Sequence, residues 1–575
     1  TWQDDLAPLP RSEWSRDRAA HLLAHAGFGG TPEEVSKLAD LGLERAVQSL
    51  VHYERTPNPR LTPFVESGFW EPSFNGFPDS RPEATDRAEA AGVSMGVSTK
   101  PDGNRPIQPV SDRFFYWLRA TMLETRRVGY WWANRMLATA HPLEEKMALF
   151  WHGHFASNED KVRDYRKLLG QLRLFQTMGT GNFRDLTVAV AKDPAMLSFL
   201  DAGKNVKGAP NENFAREIME LFTMGVGNYT ERDVREGARA FTGWNYVDLK
   251  FVVNADQHDA GPKTFLGHTG NFDGVDVIDI IMRQPATAKY VGGKIYRFFV
   301  RQDLDPALQS QIGDVFRQGR YDIKPFLELI FRSRDFYSPA SVGTRIQGPV
   351  QLAVSTCKKL GLEEIPGVPD FNAATGALGQ RLFAPPTVAG WPDGRGWITP
   401  GLLLERGNFA RDLLFPDINF IPPDRYNFAA DIRQVSNRIR DGADITTATA
   451  QPGDRITAQS NINADRDEDF NTRYASYRGW QMATQKVKPI PRPAAQIDLS
   501  AMVQAVGART TSEVVDYFIA RFMRVPPGAD ARARMVGFLN GELGTTDIAA
   551  AGSYMEDGLR MLLHLVMSQP EYQLD

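Results

Sequence analysis

The chain has 575 residues, 42% apolar and 24% charged, with a formal net charge of −4. That length passes the roughly 250–300 residues at which one core stops growing, so two or more cores, or one core with large insertions, are expected. The composition is that of a globular rather than a disordered chain; the charge balance argues against a nucleic-acid partner, and no apolar run approaches the roughly 20 residues of a bilayer span.

Residues 1–56 read as an N-terminal region of short helices. SRDRAAHLLAHAGFGG ends in glycines that supply the positive φ of a helix stop. TPEEVSKLADLG restarts with Thr31 as N-cap, Pro32 at the first helical position and Glu34 closing a capping box, and LERAVQSLVHY follows. Residues 57–110, rich in Pro, Gly, Ser and Asp without periodicity, read as an irregular excursion. Residues 111–365 form the main helical domain. It is interrupted at about 246–275, where YVDLKFVVN alternates like a strand and glycine-rich HDAGPKTFLGHTGNFDG predicts a small β-hairpin with an ordered loop.

Cys357 is the only cysteine, which rules out an intramolecular disulfide and a thiolate zinc site. It lies in an amphipathic helical pattern with no His beside it and reads as a small core residue rather than a nucleophile. Residues 366–424 hold FAPPTVAGWPDGRGWITP, a Pro/Gly/Trp-rich loop region. Residues 425–498 are a polar insertion, and 499–575 are helical again. The segment from Tyr290 and the segment from Tyr517 share a pattern, which suggests a duplicated helical unit. The fold class is mainly α: a multi-helical bundle-like or helical-repeat core with a small β-hairpin and long irregular insertions. The sequence begins at Thr1 without a Met, consistent with a removed export signal or with trimming.

Four clusters could carry chemistry. FWHGHF places His152 and His154 at i, i+2, which share a face on a strand but diverge by about 200° on a helix. They are either ligands of a divalent metal or helix-end residues bonded to nearby backbone. NENFAREIMELF gathers Phe214, Ile218, Leu221 and Phe222 on one stripe and Asn213, Arg216, Glu217 and Glu220 on the other. That polar stripe, with Asp201, Lys204 and Asn205 nearby, is either a site or a solvated ion-paired face. His258, Asp259, Lys263 and His268 in the hairpin loop are a base with its orienter, metal ligands, or turn residues. Trp244, Trp391 and Trp397 offer flat faces for a sugar ring, or pin loops to the body. There is no P-loop, GxSxG, HExxH or paired CxxC, and Asp465, Asp467 and Asp469 only loosely resemble a calcium loop.

These residues resemble a bacterial family catalogued as domain of unknown function 1800. The matching stretches include RAAHLLAHAGFGGTPEEV, KMALFWHGHFA, APNENFAREIMELFTMGVGNYTERDV, HDAGPKTFLG, PATAKYVGGKIYRFFV and LFAPPTVAGWPDG. They run in order from about residue 15 to 410 and resume near the C-terminus, whereas 425–498 carries no pattern that matches. The resemblance implies a secreted or periplasmic protein with a possible exported sulfatase-like protein partner, and attaches no reaction.

The residues support three expectations. In the first, the protein is a hydrolase or lyase of a polysaccharide. Glu217, Glu220 and Asp201, with His154 and His258, then supply acid/base chemistry, and Asn213, Arg216, Lys204, Lys263, Trp244 and Trp391 bind substrate. In the second, His152, His154, His258 and Asp259 hold a metal for hydrolysis. In the third, the protein is a non-catalytic envelope protein that binds a glycan or a protein.

Overall fold

The computed structural model describes residues 2–72, 108–417 and 472–575. Its first turns follow the capping signals. The Thr31 hydroxyl accepts the Glu34 amide, the Glu34 carboxylate accepts the Thr31 amide, and Pro32 opens helix Pro32–Asp40. That helix packs between Arg16–Ala26 and Leu43–Val51.

A 31-residue helix, Gln108–Ala138, follows, then Pro142–His154 and Tyr165–Met178. Helix Thr472–Lys486 lies along Gln108–Ala138 and buries Ala475, Trp480 and Ala483. Gly479 permits the approach, because a Cβ there would stand 2.4 Å from the Tyr116 nitrogen. This helix sits at the end of the polar stretch 425–498; the calcium-like Asp465, Asp467 and Asp469 lie outside the described residues. The loop region 366–424 likewise holds a helix, Pro400–Leu414, capped by Thr399 and opened by Pro400.

The sequence reads as one hairpin at 246–275, and the structure has two. Strand β1 (Trp244–Val247) pairs antiparallel with β2 (Lys250–Val253), and β3 (Lys263–Phe265) with β4 (His268–Gly270). Asp248, at φ 53°, folds YVDLKFVVN back on itself, and Leu266 and Gly267, both at positive φ, turn the second pair.

Two stretches share an order of elements. Pro285–Phe299, Pro306–Gln318, Ile323–Arg332 and the 3-10 turn Asp335–Tyr337 correspond in order to Thr511–Phe522, Ala529–Leu543, Met555–Met567 and Pro570–Gln573, the second stretch adding the 3-10 segment Ile548–Tyr554 before its third helix. A continuous cluster of buried apolar side chains runs from Leu9 to Tyr572, so the described helices share a core. Both ends of the chain are tied to the segment between Arg332 and Gln347. Leu9 N–H donates to Arg332 O, Asp335 N–H to Asp5 O, Gln347 N–H to Gln573 O, and Asp575 N–H to Arg345 O. Among the described residues no helix is long and apolar enough to cross a membrane.

Candidate functional site

The polar helix begins as α-helix over Asn213–Glu217 and widens to a π-turn over Ile218–Thr223, a feature common at functional sites. Its apolar stripe is buried at Phe214, Ile218 and Phe222. On the polar stripe, Arg216 is held by Glu231 at 2.8 Å and by Glu212 at 3.1 Å, and Glu220 accepts the Tyr229 hydroxyl. Burial, then the neighbouring Glu220, push the Glu217 carboxyl up against the pull of Arg216. Asn213 is exposed. Asp201, left-handed at φ 55°, is bound by Lys161 at 2.7 Å and Lys204 at 3.2 Å. Burial raises its carboxyl, and the two lysines outweigh that and hold it down.

The hairpin-loop cluster is turn chemistry. Asp259 takes Arg239 at 2.7 Å and the Gly261 amide at 2.9 Å, and Arg239 holds its carboxyl down. Lys263, 2% exposed, donates to the carbonyls of Asp259 and Gly261. His258 Nδ1 bonds the Thr242 carbonyl at 2.8 Å. Trp244 is 3% exposed, edge-on to Phe241 and Phe251 with both centroids 5.0 Å away, so it presents no open face to a sugar ring. Cys357 is buried, and burial pushes its thiol up to about 12, as expected of a core residue.

The two histidines of FWHGHF close helix Pro142–His154 and diverge, as the helical reading requires. His152 Nε2 accepts the Phe383 amide at 3.0 Å, which leaves the proton on Nδ1. Its ring stands 5.2 Å from Trp391. His154 Nε2–H donates to the Phe222 carbonyl at the end of the π-turn, 2.9 Å away, so its Nδ1 faces Lys294 Nζ at 3.4 Å. Burial drives both rings towards neutrality, His152 to about 3 and His154 well below its ordinary value, with Lys294 adding to the second. The proposed metal set is not assembled: His152, His154, His258 and Asp259 have these separate partners. Among the described residues no group of three or more His, Cys, Asp or Glu is placed to hold a metal ion.

These histidines instead anchor a cavity. The loop FAPPTVAGWPDG folds against the helix end, with Gly390 at φ +86° so close that a Cβ would stand 2.3 Å from the Gly153 carbonyl oxygen. Only glycine fits there. The contact lays Trp391 over Gly153 and walls one side of a half-open cavity of about 210 Å³ between Phe150, His154, Lys294, Phe298, Trp391 and Trp397. Trp391 also lines an open groove of about 640 Å³ with Arg126, Asn158, Asn372 and Arg381. A third cavity, about 470 Å³ beside Trp131 and Pro491, has two paired cations, with Arg127 on Glu124 and Arg135 on Glu145, and one exposed at its edge, Arg60.

Three cations border the cavity under Trp391. Arg345 forks onto Asp575 at 3.0 and 2.8 Å. Lys146, 1% exposed, donates to the Gly27 carbonyl at 2.9 Å and to Gln351. Lys294 has His154. The one lining carboxylate, Asp393, is exposed and takes the Gln302 amide and the Gly394 N–H, each at 2.7 Å.

Of the residues expected to form a site, His154 and Trp391 meet at this cavity. Glu217, Glu220, Arg216 and Asn213 share the stripe next door, joined to it through His154 and through Tyr290, whose hydroxyl donates to the Leu221 carbonyl at 3.1 Å. Asp201, Lys204, Trp244, His258, Asp259 and Lys263 do not line it. Lys146, Lys294 and Arg345 were missed. Lys294 had a readable sign, a lysine amid the small and aromatic residues of YVGGKIYRFF.

No curated protein and no solved structure matches the chain. The family model described as protein of unknown function DUF1800 matches residues 21–574, nearly its whole length and across the polar stretch 425–498. The chain belongs to that family.

Proposed function

We propose that this protein acts outside the cytoplasm on a polysaccharide, as a hydrolase or lyase, with the cavity under Trp391 as the seat of one saccharide unit. The observation that carries this reading is the placement of Trp391. Its ring is fixed on a loop locked to the HGH helix and lines both a cavity sized for one small unit and an open groove able to take the rest of a chain. A tryptophan face is suited to a sugar ring. At about 210 Å³ the cavity is below the roughly 300–1,000 Å³ usual for drug-sized ligands, so it accepts one ring and not a folded oligomer.

The acid/base part falls to Glu217 and Glu220. Burial, then the neighbouring Glu220, favour a proton on Glu217, while Glu220 accepts the Tyr229 hydroxyl; a carboxyl raised by burial beside a second carboxyl is the pairing that glycoside cleavage uses.

The test is to incubate the purified protein with bacterial, plant and algal polysaccharides, with and without EDTA, and to read new fragments by mass spectrometry. Fragments lost in Trp391→Ala and in Glu217→Gln, in variants that unfold like the wild type, support the reading. Binding without cleavage turns it to the envelope glycan-binding alternative. Cleavage abolished by EDTA and restored by a divalent cation turns it to a metal-dependent hydrolase whose ligands are not the unassembled set of His152, His154, His258 and Asp259.

A further inference from the structure

Buried cations normally face carboxylates, because removing a charge from water costs several kcal/mol unless it is paired. Helices Pro142–His154 and Pro285–Phe299 break that rule at the cavity. The Lys146 ammonium has two neutral oxygens as hydrogen-bond partners and lies 5.6 Å from the Phe298 centroid. The Lys294 ammonium has a neutral imidazole nitrogen at 3.4 Å and lies 5.1 Å from the Tyr290 centroid. One turn on, Arg297 reaches only the amide oxygen of Gln309, at 3.3 Å. Arg345 is matched by Asp575, and Asp393 at the rim is taken by Gln302 and a backbone amide. Positive charge therefore exceeds negative charge in the wall. The mismatch shows in the groups themselves. Burial, then Arg297, lower Lys294 to about 8, and burial, then Arg345, push Lys146 well below the ordinary lysine value.

Resting on the saccharide reading above, we infer that the unit seated under Trp391 is acidic: its carboxylate or sulfate lies between Lys294 and Lys146, and its ring packs against Trp391. An anion there supplies the charge the wall lacks, and a neutral sugar would leave buried Lys146 and half-buried Lys294 without a carboxylate as hydrogen-bond partner. The site selects its substrate by charge, with Lys294 as the specificity-determining residue.

The experiment is isothermal titration of the full chain at pH 7 with three oligosaccharides of equal length: a galacturonide, a sulfated galactan and the neutral galactan. Inorganic sulfate is titrated as a fourth ligand. One or both acidic oligosaccharides bind at least tenfold more tightly than the neutral one, and the comparison between them tells carboxylate from sulfate. Lys294→Met removes that preference, Lys294→Arg keeps most of it, and Trp391→Ala weakens every oligosaccharide but not inorganic sulfate.

Equal affinity for acidic and neutral ligands, or an unchanged preference in Lys294→Met, overturns the inference. If the neutral oligosaccharide binds best and loses affinity in Trp391→Ala, the saccharide seat stands and only its acidic selectivity falls. If no oligosaccharide binds, and sulfate does not bind either, both readings fall together.

Discussion

The stripe around Glu217 and the cavity under Trp391 are both rich in charge, but they dispose of it differently. On the stripe and in the neighbouring hairpins most of the partnered charges face an opposite one: Arg216 with Glu212 and Glu231, Asp201 with Lys161 and Lys204, Arg239 with Asp259 and Glu236, while Glu220 takes the Tyr229 hydroxyl and Lys263 two backbone carbonyls of its own turn. In the cavity the hydrogen-bond partners of Lys146 and Lys294 are neutral, and Asp575 and Asp393 act on them only at a distance. Density of charged residues is thus a poor guide to a binding site, since surface helices collect ion pairs worth little. A covered charge without an opposite one, lining a cavity, is the better guide, because its desolvation cost is not offset by an ion pair.

The largest test of this contrast uses glycine. Gly208, near the stripe, and Gly390, at the cavity, have nearly the same φ, +84° and +86°, but a Cβ at 208 meets nothing within 4 Å and one at 390 meets the Gly153 carbonyl oxygen at 2.3 Å. Gly390→Val should cost about 3 kcal/mol or more in urea unfolding and abolish ligand binding. Gly208→Ala should cost about 1 kcal/mol, the strain of the left-handed backbone alone. Equal losses would mean that the loop contact does not hold Trp391 over the cavity.

A second test is pH. Lys294 is surrounded by His154, Tyr290, Arg297 and Asp393, with Lys146 and Arg345 across the cavity, and it titrates at about 8 in the free protein. His154 is neutral throughout the range tested, its ring held well below its ordinary value. The charged ammonium binds the anion. Affinity for an acidic oligosaccharide should therefore be flat below pH 8 and fall by up to tenfold per unit above it, as titration from pH 6.5 to 9.5 would read. A flat profile to pH 9.5 would remove Lys294 from the anion site.

Much of the fold was legible because its causes are local. The first helix does stop at Gly27, but with φ −148°, the positive φ falling on Gly29. Of the apolar stripe, Phe214, Ile218 and Phe222 are buried while Leu221, in the π-turn that no regular wheel anticipates, is half-buried. The Thr31–Glu34 capping box depends on residues three apart and formed as read. The divergence of His152 and His154 was legible for the same reason. The cavity was not, because it depends on contacts at long range. Gly390 meets Gly153, Lys294 meets His154, and Arg345 meets Asp575, and no periodicity reports such pairs. The β-hairpin cluster holds residue types that also serve catalysis, and sequence does not show that Asp259 and Lys263 bond within their own turn while His258 Nδ1 reaches the Thr242 carbonyl.

A third test asks what the unmatched charge costs. With Lys294 lowered from its ordinary 10.5 to about 8, the folded state binds its proton less readily than the unfolded state does. The penalty is complete below about pH 8 and fades as pH rises towards 10.5. Lys294→Met should therefore raise stability by about 1 kcal/mol at pH 7, after discount for partial exposure, and by almost nothing at pH 10.5. A variant that loses both acidic-ligand affinity and stability at pH 7 would show that Lys294 is structural.

The smallest effect is expected on the stripe. Arg216 is one-third exposed and its partner Glu231 two-thirds, so Arg216→Ala should cost at most about 0.5 kcal/mol, the range of exposed ion pairs. Its consequence lies elsewhere. Arg216 is the charge that pulls the Glu217 carboxyl down against burial and Glu220, and its removal lets that carboxyl rise further. If Glu217 acts as the proton donor in polysaccharide cleavage, the alkaline limb of the activity profile should move to higher pH in Arg216→Ala while thermal unfolding stays in place. An unmoved limb would detach Glu217 from the chemistry and leave the stripe as a solvated face, with the cavity under Trp391 as the sole site of the pair.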